Sequence, residues 1–267
     1  MGRGTITGMT AIDVQLIHET AAKHGVPGSV AEELLVRSRP CVYLVQYEEM
    51  PASLRERARP AARTGGLPAL AEGADWPGGR EPLILSVDCA ALPRDVLDIE
   101  LPADGHLLFF SDIEYPPDSS AVLHVPAGTP TTEHSGTYEF DGDSMQVRAY
   151  ESRTLYPLVG LTLGDDWRDA PAAQAFAKGE GHADILDRFE EYILEAASGG
   201  TRPGVCVQIG GFSNSWDMAP DTDGLVLFAQ MAGQAIDYEV YTLNLIVGTR
   251  EDIAARRYDR LQYEQQC

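Results

Sequence analysis

The chain has 267 residues and a mass of 29.0 kDa, enough to bury a full core as one large domain or two intimate halves. Twenty basic residues against forty-one acidic ones leave a net charge of −21 and a pI near 4.5. Such a field repels nucleic-acid phosphates and anionic membranes, so neither is expected as a partner. No apolar run approaches the roughly 20 residues that cross a bilayer, and the N-terminus has no signal-peptide core, so the expected location is cytoplasmic.

In chain order, apolar residues from Ile12 to Ala21 recur at helical spacing, with Thr10 placed to cap, Asp13 in the first turn, and Gly25 and Pro27 as the stop. A second helix is expected from Ser29, where Glu32 completes a capping-box pattern. Both helices are expected to pack at a sheet edge. Residues 41–47 read as a strand, and a short helix is expected near residues 54–57. Strands follow at 82–87, at 106–112 behind the Asp104-Gly105 turn, and at 121–125, with a short turn or helix near 92–97 between the first two. The stretch 126–144, rich in Pro, Gly, Thr, Ser and Asp, reads as an irregular connection with at most one short strand, and 145–151 as a strand. A short helix is expected at 171–177. The clearest helix is 182–197, where Ile185, Leu186, Phe189, Ile193 and Leu194 make one stripe. Strands at 225–230 and 240–247, a helix at 251–257 and a final edge strand in 258–263 complete the chain.

One pattern occurs twice. Gly65-Gly66-Leu67 leads to Trp76-Pro77 and the run 82–87, and Gly210-Gly211-Phe212 leads to Trp216, Pro220 and the run 225–230. The reading is an α+β, β-rich fold of two pseudo-repeated halves, with antiparallel or mixed sheets and a few peripheral helices. Residues 1–40 form an N-terminal helical segment on the core. Residues 41–267 form a single domain whose halves are about 41–150 and 200–267, with a helical insertion at about 165–198.

The blocks Arg63-Thr-Gly-Gly-Leu-Pro68, Trp76-Pro77, Gln208-Ile-Gly-Gly-Phe212, Trp216, Leu243 to Ile253 and Arg257-Tyr-Asp259 stand in an order that resembles the YwqG-like family, a bacterial family of unknown function. The resemblance covers roughly residues 40–265. It implies an α+β fold with internal duplication and carries over no catalytic residue. Relatives often place acids and a Trp after the apolar run near residue 230. Here Met231 to Tyr238 holds only Asp237 and no Trp.

Motifs for chemistry are few. The six histidines form no H-x-x-x-H or H-E-x-x-H, leaving at best a convergence of His124, Glu133 and His134. Asp141-Gly-Asp143 lacks the later ligands of a calcium loop and reads as a turn. Ser135 and Ser198 adjoin glycines without a nucleophile elbow. Cys41, Cys89 and Cys206 sit in strand-like runs as small hydrophobes, and Cys206 as a nucleophile would need a neighbour that lowers its pKa. The glycine pairs lack the Lys-Ser/Thr of a phosphate loop. Asp217, Asp221 and Asp223 cluster after Trp216, as chance allows in so acidic a chain. No catalytic set, metal or cofactor is expected.

Two functional readings remain. The first is a non-enzymatic binding or interaction protein, in one form an acidic immunity- or antitoxin-type partner of a basic protein. The second is an enzyme or small-ligand binder using a cleft between the two Gly-Gly/Trp loops. Trp76 and Trp216 would face that cleft, with Arg63 and Gln208 as polar contacts. In the competing view, the glycines permit tight packing and the tryptophans are core pillars.

Overall fold

The computed structural model describes residues 14–77, 79–117, 119–204 and 207–267. The expected Thr10 cap and Asp13, and the strand position of Cys206, lie outside the described residues. Helix α1, Val14–His24, buries Ile17, Thr20 and Ala21 and stops before Gly25 as expected. Helix α2, Gly28–Val36, is preceded by Pro27, which places Ser29 inside the first turn. No side-chain cap forms there, so the expected capping box is absent. Glu33 reaches out instead: its carboxylate accepts the Ala172 and Ala173 N–H groups at 2.9–3.1 Å. It thereby caps α4, Pro171–Ala177 (α3 is the short helix Ala52–Arg55), whose first N–H groups have no partner within the helix.

The framework is one ten-stranded antiparallel sheet. Its strands are β1 (Ser38–Val45), β2 (Ala62–Thr64), β4 (Leu83–Asp88), β5 (His106–Phe110), β6 (Ala121–Val125), β10 (Arg153–Leu163), β11 (Val207–Ile209), β12 (Leu225–Ala232), β13 (Leu243–Thr249) and β14 (Gln262–Gln266). Two ribbons stand apart: β3 (Ala69–Ala71) with β7 (Thr131–Glu133), and β8 (Thr137–Phe140) with β9 (Asp143–Gln146). The order is β14-β13-β12-β11-β1-β10-β2-β4-β5-β6. Outward from the central β1–β10 pair, each side repeats one pattern. On one side β1 is followed by β11, β12, β13 and β14. On the other, β10 is followed by β2, β4, β5 and β6. The likeness extends to irregularities: the register slips between Leu83 and Leu85 on β4 and between Leu227 and Ala229 on β12. Because β1 joins the C-terminal strands and β10 the N-terminal ones, each half is completed by a strand from elsewhere in the chain.

The sheet curls around its main core. Ile84, Phe109, Ile209, Phe228 and Ile246 are buried there, and the Phe109 and Phe228 rings, from opposite halves, lie 5.7 Å apart. Burial of this apolar area supplies most of the driving force for the fold. On the outer side, α1, α2, α4 and α5 (His182–Ala197) form a second core with Leu161 of β10. The N-terminal helices therefore pack on α4 and α5, which lie over the central strand β10, and not at a sheet edge. Alternating inner and outer positions along each strand decide which residues can form a site.

Further sequence expectations change. Strand β10 falls where no element is expected and contains Pro157 and Gly160, residues that disfavour strands, yet Pro157 pairs opposite Leu44. Gly160 lies under the Tyr43 ring, where a Cβ would fall 2.3 Å from Cε2. The 126–144 connection holds β7, β8 and the start of β9, not one strand at most. Strand β9 ends at Gln146, short of the expected 145–151 span, because its partner β8 is only four residues long.

Candidate ligand groove beside the first glycine pair

Each glycine pair ends a short strand and turns the chain with both residues at positive φ: 51° and 73° for Gly65 and Gly66, 66° and 81° for Gly210 and Gly211. Such turns cost little only for glycine. Both are anchored alike, with the Gly65 N–H donating to the Ile84 carbonyl and the Gly210 N–H to the Phe228 carbonyl, each at 3.1 Å. The residue two before each pair clamps the loop through its side chain. Arg63 donates to the Gly65 and Leu67 carbonyls at 2.6 and 2.5 Å. Gln208 donates to the Gly210 and Phe212 carbonyls at 2.8 and 2.9 Å. Two of the four sequence-nominated residues are thus equivalent clamps, one cationic and one neutral.

The surroundings of the two clamps differ, and the difference makes a site. In the second half, Gln208 is opposite Gln230, whose Nε2 donates to Gln208 Oε1 at 3.3 Å. Gln230 Oε1 accepts the Asn214 N–H at 2.9 Å. The next outer pair, Ala232 opposite Leu243, is apolar and buried. That face is closed by mutually satisfied amides and packed hydrophobes. In the first half, Arg63 is opposite Ser86, and the next outer pair is Asp88 opposite His106. Ser86 is only 8% exposed, and among the described residues its hydroxyl has no hydrogen-bond partner. The shorter side chain leaves open what Gln230 fills.

The opening is a cavity of about 520 Å³ between the outer face of β2, β4 and β5 and the β3–β7 ribbon. It continues into a further 290 Å³ that shares Arg63, Ser86, Asp88 and His106 with it. Asp104 and Glu133 stand on its walls. Arg63 makes no ion pair among the described residues, despite the acidic chain around it. After its two bonds to carbonyls, the guanidinium keeps three N–H donors. Its chain reaches toward Gly65 and Leu67, away from the Asp88–His106 pair, so the cation and Asp88 lie toward opposite ends of the groove, while Glu133 stands opposite Ala69 on the side of Leu67. Asp88 Oδ1 accepts the Ala90 N–H at 2.9 Å, and no hydrogen bond joins Ser86, Asp88 and His106 among the described residues.

The four nominated residues are not gathered in one place. Arg63 lines the groove. Gln208 is fully buried in its network. Trp76 leans edge-on against Phe110 at 5.5 Å, donates from Nε1 to the Glu81 carbonyl, and presses on Gly136, as a packing pillar does. Trp216 is exposed, and neither tryptophan lines any of the five cavities described. Sequence reasoning passed over Ser86, Asp88 and His106. Their signal was two polar residues at alternate positions of β4, where the second copy carries Gln230 and Ala232.

Other candidates have structural occupations. His124 Nε2 lies 2.9 Å from the Asp104 carbonyl, and His134 Nε2 lies 2.9 Å from the Thr132 hydroxyl. Among the described residues no three His, Cys, Asp or Glu side chains come close enough together to hold a metal. Asp141 and Gly142, both at positive φ, make the β8–β9 turn. Asp221 is buried on the Ser213 hydroxyl and N–H, while Asp217 is exposed and Asp223 forms a turn with Gly224.

Burial pushes the Cys41 thiol up to about 12 and the Cys89 thiol up to about 11, the latter helped by Asp88. Both stay protonated and unreactive at neutral pH. In the folded protein at pH 8, a thiol reagent should label exposed Cys267 quickly, with Cys41 and Cys89 labelled only after denaturation. Mass spectrometry of the peptides checks this. Since both folded values lie above the unfolded one, the unfolded chain holds fewer protons at high pH, and stability should fall as pH rises from about 9 toward 12.

Among the described residues no helix is long and apolar enough to cross a membrane. Residues 62–267 match the family model described as "Domain of unknown function (DUF1963)". The comparison with curated proteins finds no match.

Proposed function

The chain belongs to the family described as a domain of unknown function (DUF1963), and from its own geometry we propose that it is a non-enzymatic binding protein for a small polar molecule held over Arg63 and Ser86. One observation carries the reading: the outer face that the second half closes with Gln208, Gln230 and Asn214 is left open in the first half, where the Ser86 hydroxyl faces the groove and has no hydrogen-bond partner among the described residues. We read the halves as a duplication in which one copy keeps an open face and the other is purely structural. The cavity falls within the usual range of roughly 300–1,000 Å³ for small-molecule sites. A fitting ligand has a carboxylate or phosphate for the guanidinium and hydroxyl or amino donors for Asp88, Asp104 and Glu133. On this proposal the small ligand sits within one half and not in a cleft between the two.

Ser86→Gln tests it, because it copies into the first half the residue that closes the second. Sugar acids, sugar phosphates and amino acids are screened by thermal shift and then calorimetry. At least one should stabilise the wild type, by about 2.7 kcal/mol at a hundredfold excess over Kd. The Ser86→Gln protein should fold normally and show no shift. A wild type indifferent to the whole panel, or a variant that responds equally, overturns the proposal.

A further inference from the structure

A second surface, independent of the groove, lies in the C-terminal half. Trp216, Met218 and Tyr241 are 55%, 81% and 69% exposed. They come from two separate segments, and one residue of β14 joins those segments. Gln266 Oε1 accepts the Trp216 N–H at 2.7 Å, and its Nε2 donates to the Met218 carbonyl at 3.4 Å. Gln266 pairs in register with Leu243, two residues after Tyr241, so the 216–218 turn and the segment that carries Tyr241 into β13 meet at Gln266. Large exposed Trp, Tyr and Met side chains are costly to leave in water and are enriched in protein interfaces.

The charged residues flanking them in sequence are of one sign, although Arg202 lines one cavity with Ser215, next to Trp216. Asp217 separates Trp216 from Met218, Glu239 precedes Tyr241, Glu264 precedes Gln266, and all three are exposed. The chain has no Lys or Arg between Arg202 and Arg250, nor after Arg260. Nearby Asp237 differs, since Arg148 neutralises it at 3.0 Å, and Arg153 lies 4.1 Å over the Tyr238 ring. Among the described residues no cation stacks on the rings of Trp216 and Tyr241.

From this we infer that the Trp216–Met218–Tyr241 face docks a Lys/Arg-bearing segment of another protein, with its cations stacked on the two rings and paired with Asp217, Glu239 and Glu264. A second copy of the chain would bring −21 against −21, and an anionic membrane would be repelled in the same way.

The test places a photo-cross-linking phenylalanine at 216, at 241, and at Tyr192 on α5 as a control. Cross-linking is carried out in the native cell with the full chain. Positions 216 and 241 should both capture the same basic protein, and position 192 should not. With that purified partner, Asp217→Lys with Glu239→Lys should weaken binding at least tenfold and flatten its salt dependence, with the Tm unchanged. Capture of a second copy or of an acidic protein overturns the inference. So does equal capture from all three positions, no capture from 216 and 241, or affinity that survives charge reversal.

Discussion

Gly65→Ala is expected to destabilise the fold by about 4 kcal/mol, combining a left-handed backbone cost of ~1–2 kcal/mol with ~1–3 kcal/mol of overpacking. Gly65 has φ of 51°, and an added Cβ would fall 2.6 Å from the carbonyl oxygens of both Tyr150 and Glu151. Those are backbone atoms of the segment entering β10, and they cannot rotate aside. The Tyr150 carbonyl also accepts the Gly66 N–H at 2.9 Å, so the loop cannot retreat without losing that bond. Gly211→Ala should behave similarly. Its Cβ would fall 2.6 Å from Thr162 Oγ1, which accepts the Phe212 N–H. Gly73→Ala is the control: φ is 76° with nothing within 4 Å, so it should cost only ~1 kcal/mol of backbone strain. Urea titrations of the three variants measure the difference. If Gly65→Ala falls within 1 kcal/mol of Gly73→Ala, the close approach is not rigid.

Gln208→Leu is the second large effect, expected near 3 kcal/mol, because stranding buried hydrogen-bonding groups costs roughly 1–3 kcal/mol each and part of that is recovered by relaxation. The substitution keeps the side chain's bulk but strips the Gly210 and Phe212 carbonyls and the Gln230 amide of a partner, in a place water does not reach. Arg63→Leu removes the equivalent clamp and should cost clearly less, about 1 kcal/mol, since Arg63 and Leu67 are only partly buried and Arg63 borders the open groove, where water can stand in for its guanidinium. The ordering of the two variants is the informative result. Equal losses would mean that the first-half groove is as dry as the second-half network, which would also count against its use as a ligand site.

Much of the fold was legible because local patterns carried it. The stripe of α5 from Ile185 to Leu194 and the Asp104-Gly105 turn before β5 fixed their elements without tertiary help. The final edge strand exists but starts later than the expected 258–263, because Tyr258–Arg260 form a 3-10 turn and β14 begins only at Gln262. Strand β10 was missed for the opposite reason. Its Pro157 and Gly160 are breakers by propensity, and only pairing on both sides with β1 and β2 makes the segment extended. The capping box at Ser29 failed because the N-cap is Pro27, two residues too early for the Ser29–Glu32 spacing to work.

The candidate site divides in the same way. The sequence by itself determined that there are two glycine-pair loops, that Arg63 and Gln208 precede them, and that the chain carries an excess of acid. Only the tertiary structure decided that Arg63 and Gln208 are equivalent clamps, that Trp76 is packing and Trp216 is surface, and that Ser86, Asp88 and His106 share the open face. The physical reason is that a strand's alternation says which residues share a face, but not which strand will lie beside it. The partners of β2 and β11 come from β10 and β1, distant in the chain, so openness or closure of each face depends on contacts that no local window contains.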